Sequence, residues 1–446
     1  MGHLGILSRA EIEKLGPPIP EELAETGVSD GVLGALALKH VAGLVNPTTA
    51  SVADRMHLSW TITEELLRQL YRENLIEIRS QGLPGATRYG MLDHGWERVS
   101  QLQRQSGYVG PAPVALADYS HMMQLQAVPY RPASTETVRA AFRDLVLPES
   151  LLQTLGCVIN SRSSLYLTGL PGTGKTAISE RMNTALFGFI WIPYAIEIDG
   201  QIIRLFDTHC HRQVPEKASA TEHDRRWVEI ERPLIIVGGE LTLENTDLAW
   251  SESARSYEAP FQLKSNGGTL VIDDFGRQRV AARDLLNRWI MPLERRVDFL
   301  TLNSGKKIEV PFEQLVIFST NIEDKELVDE AFLRRMGYRA RLEPPSTEAY
   351  AEIFRRAASR RGITLDPVCL EYVLDRYASE ARLMKSCEPR DLINRVSDIC
   401  LFQGSEPRLT PELLDLAWRN YFGASHAFSA AAPDIVIPAR AAAVPV

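Results

Sequence analysis

The chain is poor in several things, and each shortage excludes something. Its 446 residues hold five cysteines, at 157, 210, 369, 387 and 400. An odd, scattered set builds no disulfide framework, so a reduced, cytoplasmic protein is expected. No run of about 18 uncharged apolar residues occurs, so no membrane span is expected. Met1 to Lys14 lacks an apolar core and does not read as a signal peptide. Positive charge is in deficit: 49 Lys and Arg against 57 Asp and Glu leave −8. That balance excludes a wholesale nucleic-acid coat, though not one local basic patch. No internal repeat is visible. His209-Cys210-His211, with His223 nearby, has no second clustered ligand pair and reads as a polar loop rather than a metal site.

What is present is an ordinary globular composition, 45% apolar and 24% charged, in a chain long enough for two or three domains. Gly169-Leu170-Pro171-Gly172-Thr173-Gly174-Lys175-Thr176 fits G-x-x-x-x-G-K-[ST] at every fixed position. The apolar run Leu165-Tyr166-Leu167 precedes it as a strand, and Ala177 to Leu186 follows as a helix. Strand, glycine loop and helix are the order that phosphate binding requires. Glycines admit phosphate oxygens to the backbone N–H groups, where a Cβ would obstruct them. Lys175 would reach the β- and γ-phosphates, and the Thr176 hydroxyl would ligate Mg²⁺.

In chain order, residues 1–28 hold Gly16-Pro17-Pro18-Ile19-Pro20 and are expected to be a flexible arm. Residues 29–105 read as three helices, a β-hairpin around Gln81 to Gly85 and a further helix, a winged-helix-like domain. Its third helix would be the DNA reader, but it carries Glu64, Glu65 and Glu73 beside Arg68 and Arg72. Carboxylates repel phosphate, so protein docking or an architectural role is favoured over DNA. Residues 106–133 are Gly-, Pro-, Ala- and Met-rich and are expected to be a linker, with a short helix at Leu116 to Leu125.

An α/β domain is expected over 134–344, with five apolar strands, near 165–167, 189–194, 233–238, 270–274 and 315–321. Interleaved with helices, they predict a mainly parallel sheet flanked by helices, with ligands at the strands' carboxyl ends. Asp199-Gly200 and Asn303-Ser304-Gly305 mark two hairpins. Residues 345–423 read as an all-helical lid, and 424–446 as a disordered tail. Trp191 and Tyr194 suit either a substrate-gripping loop or the core.

The acids fall where the chemistry needs them. Asp273 ends an apolar strand and would hold Mg²⁺. Asp274 would orient or activate the attacking water, and Asn321 could bond that water or the γ-phosphate. Arg334 and Arg335 could stabilise charge on the transferring phosphoryl group, or lie on a solvated face. Arg390 could reach the same phosphate or pair with a nearby acid.

Together these motifs resemble AAA+ ATPases over about residues 135–425. Gly169 to Thr176 looks like Walker A, Leu270 to Asp274 like Walker B, and Asn321 like sensor 1. Arg334 and Arg335 look like the arginine-finger region, and Arg390 like sensor 2. Asp144-Leu145-Val146 resembles the segment that contacts adenine; Gly169, Pro171, Gly172, Thr173, Gly174, Lys175, Thr176 and Ala177 would cradle the nucleotide. The resemblance implies homo-oligomeric rings, often hexamers, with ATP and Mg²⁺ at subunit interfaces. The second Walker B acid departs from it, being Asp274 rather than Glu, so slow hydrolysis or a nucleotide-switch role stays open. Asn266-Gly267-Gly268, Ile272 to Gln278 and Leu285 to Trp289 look like a bacterial group described as ATPases with chaperone activity. The expectation is an ATPase that remodels or assembles an unknown protein partner. A DNA-associated motor and a nucleotide-gated scaffold are the alternatives.

Overall fold

The computed structural model describes residues 16–80, 86–127, 132–186, 188–215, 223–322 and 334–423. It divides into two compact units, 1–343 and 344–446.

The centre of the first unit is a five-stranded parallel sheet. Its spatial order is Tyr338–Leu342, Leu165–Gly169, Leu315–Thr320, Thr269–Ile272, Leu234–Val237. Each neighbouring pair runs parallel, with Val271 opposite Ile317 and Ile317 opposite Leu165. Successive side chains enter opposite layers. Leu165, Leu167, Val271, Leu315 and Ile317 join one buried cluster with Ile178 and Met182 of the helix Lys175–Ala185. Tyr166, Leu270, Ile272, Val316 and Phe318 join another with Leu285 and Trp289 of the helix Ala282–Arg295. A strand buried on both faces must be apolar at every position, which is why these runs are continuous.

Two strand assignments need correction. Phe189–Pro193 lies outside the parallel sheet and pairs antiparallel with Trp227–Glu231, Ile190 opposite Ile230. Phe189 is exposed while Ile190 and Ile192 are buried, so the two faces are unequally covered. The fifth parallel strand is Tyr338–Leu342, on the sheet edge. Arg339 and Arg341 interrupt its apolar pattern and hid it.

A second five-stranded sheet was not foreseen. Its order is Ala249–Ser251, Ser256–Glu258, Gln201–Arg204, Ala195–Ile198, Val114–Ala115. The expected hairpin at Asp199-Gly200 forms its middle, and both turn residues have positive φ, 50° and 78°. The hairpin Val297–Thr301 with Lys307–Pro311 also forms as expected. Residues 106–127, within the expected linker, pack against the second sheet. Val114–Ala115 pairs with Ala195–Ile198, and the helix Leu116–Ala127 buries Tyr119, Met122 and Met123 completely. Gly107 serves close packing there: a Cβ on it would lie 2.3 Å from the Ala254 carbonyl.

The N-terminal region holds helices Asp30–Gly43, Thr49–Met56 and Trp60–Arg72, then paired strands Ile76–Ser80 and Arg88–Met91, then the helix Asp93–Gln105. Thr48 caps the second helix, its hydroxyl accepting from the Ser51 N–H at 3.1 Å. The core of this region includes Ala195 and Ile202 of the second sheet, so the two pack as one body. Residues 16–28 of the expected arm pack as well. Leu23 and Val28 are buried, and the Asp224 N–H donates to the Pro17 carbonyl at 2.9 Å. Residues 1–15 and 81–85 lie outside the described residues.

The second unit has helices Thr347–Arg360, Pro367–Ser379, Glu388–Phe402 and Pro411–Phe422. They enclose Tyr350, Phe354, Val373, Tyr377, Leu392, Val396 and Trp418. Ser346, Asp366 and Thr410 cap three of them. The buried Glu388 carboxylate accepts from the Tyr377 hydroxyl at 2.5 Å and the Lys385 N–H at 2.8 Å. The expected tail, 424–446, lies outside the described residues.

Candidate functional site

The phosphate loop leaves the strand Leu165–Gly169 at the carboxyl edge of the parallel sheet. Gly169, Gly172 and Gly174 have φ of 155°, 85° and 98°, which L side chains rarely adopt. A Cβ on Gly169 would also lie 2.7 Å from the Leu342 carbonyl. Gly174 is the N-cap of the helix Lys175–Ala185, so the first-turn N–H groups and the positive end of its dipole belong to the loop. Thr173 is buried and its hydroxyl donates to the Leu170 carbonyl at 2.8 Å, bracing the loop. Pro171 is exposed at the tip, and Ala177 is half-buried in the first helical turn.

Lys175 is buried, and its ammonium donates to the carbonyls of Gly169 at 2.8 Å and Leu170 at 3.1 Å. Burial pulls its pKa below the ordinary lysine value, while Asp273 and Asp274 act in the opposite sense. The Thr176 hydroxyl donates to Asp273 Oδ2 at 2.9 Å, joining residues 97 apart in sequence. This hydroxyl and carboxylate are the hard oxygen donors that Mg²⁺ takes, alongside water and phosphate oxygens. The donor set therefore fits ATP with Mg²⁺.

Asp273 and Asp274 follow the strand Thr269–Ile272, and Asn321 follows Leu315–Thr320, which lies between that strand and the phosphate-loop strand. Asp274 is exposed, at φ 49°, where Asp is tolerated better than longer acids. Asn321 is half-buried; its Oδ1 is fully covered and meets no hydrogen-bond partner among the described residues.

The other candidates scatter. Asp144 forms a fork with Arg181 of the phosphate-loop helix, at 2.6 Å for the closest pair. Leu145 packs at the edge of the cluster beneath that helix, and Val146 is half-buried. Arg334 is exposed, while Arg335 Nε donates to Glu294 at 2.5 Å on the helix Ala282–Arg295. The preceding residues 323–333 lie outside the described residues. Arg390 belongs to the second unit, exposed in the first turn of Glu388–Phe402 and bonded to Asp391 at 3.0 Å. Tyr194 packs edge-on against His57 and Phe206, with centroids 5.1 and 5.2 Å away, which favours the core reading. His211 accepts from the Asp207 N–H at 3.0 Å and donates to the Lys264 carbonyl at 2.8 Å. Burial lowers its pKa, as suits a neutral bridging imidazole.

Sequence reasoning missed three residues around the acids. Arg181 holds Asp144. Thr320 is buried, and its hydroxyl donates to the Phe275 carbonyl at 2.7 Å. Gln278 bonds three backbone groups of the acid turn. Arg181 could have been sought on the loop helix's polar face. The other two have no pattern that separates them from ordinary turn residues.

A domain of unknown function, DUF8689, matches residues 346–420. No curated protein matches the chain. Among solved structures, the Thermotoga maritima RuvB Holliday junction branch migration motor is 15% identical, covers 65% of this chain and 70% of its own, and has a TM-score of 0.36. NtrX from Brucella abortus is 14% identical, covers 79% and 60%, and has a TM-score of 0.37. NtrX in complex with ATP is 13% identical, covers 81% and 67%, and has a TM-score of 0.36. No helix among the described residues is long and apolar enough to cross a membrane. The phosphate loop thus stands at the carboxyl end of a five-stranded parallel sheet, with Asp273 and Asn321 at neighbouring strand ends and an all-helical unit following in sequence.

Proposed function

We propose that the chain binds and hydrolyses ATP with Mg²⁺, as a ring-forming AAA+ ATPase that remodels or assembles a protein partner. The observation that carries this reading is the 2.9 Å contact between Thr176 and Asp273, beneath a loop whose glycines and lysine suit phosphate. Lys175 and the first-turn N–H groups would bind the phosphates. Thr176 and Asp273 would hold Mg²⁺, which neutralises phosphate charge when bound. Asp274 would orient the attacking water, and Asn321, at the end of the neighbouring strand, would bond that water or the γ-phosphate. Arg334 and Arg335 would act on a neighbouring subunit's nucleotide, and Arg390 on the phosphates of its own.

The protein-partner reading is supported by the third N-terminal helix. Its exposed side presents Trp60 and Tyr71, and Arg68 is paired with Glu64 at 2.8 Å rather than left open for phosphate. A second reading, a nucleotide-gated scaffold with little hydrolysis, is favoured by Asp274, whose side chain is one methylene shorter than the glutamate usual at that position. ATP turnover, measured with particle mass in ATP, in ADP and without nucleotide over a range of concentrations, separates the readings. Turnover per subunit that climbs with a nucleotide-dependent ring supports interface catalysis. A monomer with concentration-independent turnover rules it out, and a ring without turnover selects the scaffold.

A further inference from the structure

The turn from Asp273 to Gln278 carries both acids of the proposed site in an unfavourable backbone shape. Asp274 has φ 49° and Gly276 φ 97°, two left-handed residues close together. A non-glycine residue there costs roughly 1 kcal/mol, so neighbours must hold the turn. Bonds to the sheet fix where it lies. The Asp273 N–H donates to the Val237 carbonyl at 2.8 Å, and the Phe275 N–H to the Ser319 carbonyl at 2.7 Å. Within the turn the Arg277 N–H donates to the Asp274 carbonyl at 3.0 Å, the Asp274 N–H to Asp273 Oδ1 at 3.1 Å, and the Thr320 hydroxyl to the Phe275 carbonyl at 2.7 Å.

One side chain bonds the main chain of both acid residues at once. Gln278 Oε1 accepts from the Gly276 N–H at 2.7 Å, while Nε2 donates to the carbonyls of Asp273 at 2.9 Å and Asp274 at 3.2 Å. A carboxamide suits this task because it carries two donors and an acceptor on one rigid plane. A carboxylate keeps the acceptor but has no donor and repels the two carbonyls. With its carbonyl held, each acid's Cα–Cβ direction is held too. Thr176 then meets Asp273 at 2.9 Å, and Asp274 projects from a defined place.

We propose that Gln278 is a positioning residue for ATP hydrolysis, orienting Asp273 and Asp274 through their main chain without itself touching nucleotide or metal. The proposal rests on the ATPase reading. It is tested on the full chain with Gln278→Met, which removes all three bonds, and Gln278→Glu, which retains only the acceptor. The measurements are backbone amide exchange at Gly276, MgATP affinity, thermal midpoint and kcat, with Asp274→Asn alongside. Gln278→Met should speed exchange at Gly276 by about tenfold or more. It should lower kcat about tenfold or more, with KM and MgATP affinity within about twofold and the thermal midpoint unchanged. Gln278→Glu should leave Gly276 protected and still lose turnover, a separation that general loosening of the turn would not produce. Unchanged exchange in Gln278→Met overturns the clamp. Unchanged kcat in a chain whose Asp274→Asn variant is inactive overturns its role in hydrolysis. An equal fall in affinity or midpoint assigns Gln278 to stability alone. A wild type without turnover, indistinguishable from Asp274→Asn, removes the ATPase reading and the proposal with it.

Discussion

The two five-stranded sheets of the first unit were built by different rules. The parallel sheet is covered on both faces, so its inner strands are continuous apolar runs such as Leu315-Val316-Ile317-Phe318. The mixed sheet uses strands as short as Val114–Ala115, alternates parallel and antiparallel pairing, and draws its strands from 114 to 258. The first ends in a row of loops that carry the phosphate-loop glycines, Asp273 and Asn321. The second joins the N-terminal helices through a common core at Ala195 and Ile202. A doubly covered parallel sheet presents its strand ends to a ligand, whereas the mixed sheet ties distant segments together.

The comparison predicts that nucleotide chemistry fails at one sheet and stability alone fails at the other. The largest effect is expected from Lys175→Ala, which should weaken ATP binding about a hundredfold or more without moving the thermal midpoint. Calorimetric titration checks it. Asp274→Asn should keep that affinity and lose about a hundredfold in turnover. Arg334→Ala and Arg335→Ala should also keep affinity and lose turnover, by about tenfold or more, most clearly at concentrations where the ring forms.

Glycine substitutions sharpen the contrast. A Cβ on Gly268 would lie 2.0 Å from the Pro233 carbonyl, between adjacent parallel strands. Gly268→Ala should cost about 2 kcal/mol and weaken ATP binding as well. Gly107→Ala, beside the mixed sheet, should cost a similar amount and leave the affinity of the folded fraction intact. Denaturant unfolding with parallel nucleotide titration distinguishes them, and equal loss of affinity in both would abolish the division.

The smallest effect concerns Lys39, buried beneath the N-terminal helices and donating to the Ser106 and Tyr108 carbonyls. Burial lowers its pKa from the ordinary 10.5 to about 8. The folded chain then releases this proton before the unfolded chain does. Its contribution to stability should rise with pH between about 8 and 10.5, and be flat below. The stability difference between wild type and Lys39→Met, followed across that range, should move in favour of wild type.

Legibility followed these physical differences. The glycine loop and four of the five parallel strands could be read because glycine, the Lys-Thr pair and apolar runs leave local marks. Tyr338–Leu342 could not, because an edge strand keeps charges such as Arg339 and Arg341. The run Phe189 to Tyr194 looked equally apolar, but its partner was Trp227–Glu231, a choice no local pattern contains. Residues 106–127 looked like a linker because Gly107 and the prolines resemble loop residues. Gly107 permits tight backbone contact there instead.

The sequence by itself determined the phosphate loop, since φ values of 85° at Gly172 and 98° at Gly174 demand the residue type that stands there. It determined the helices of the second unit through their caps and apolar spacing. Tertiary structure alone decided which strands share a sheet, that Thr176 meets Asp273 across 97 residues, and that Gln278 closes the acid turn. Those contacts join groups whose local sequence is compatible with many partners. Burial and backbone hydrogen bonding across the whole chain select one.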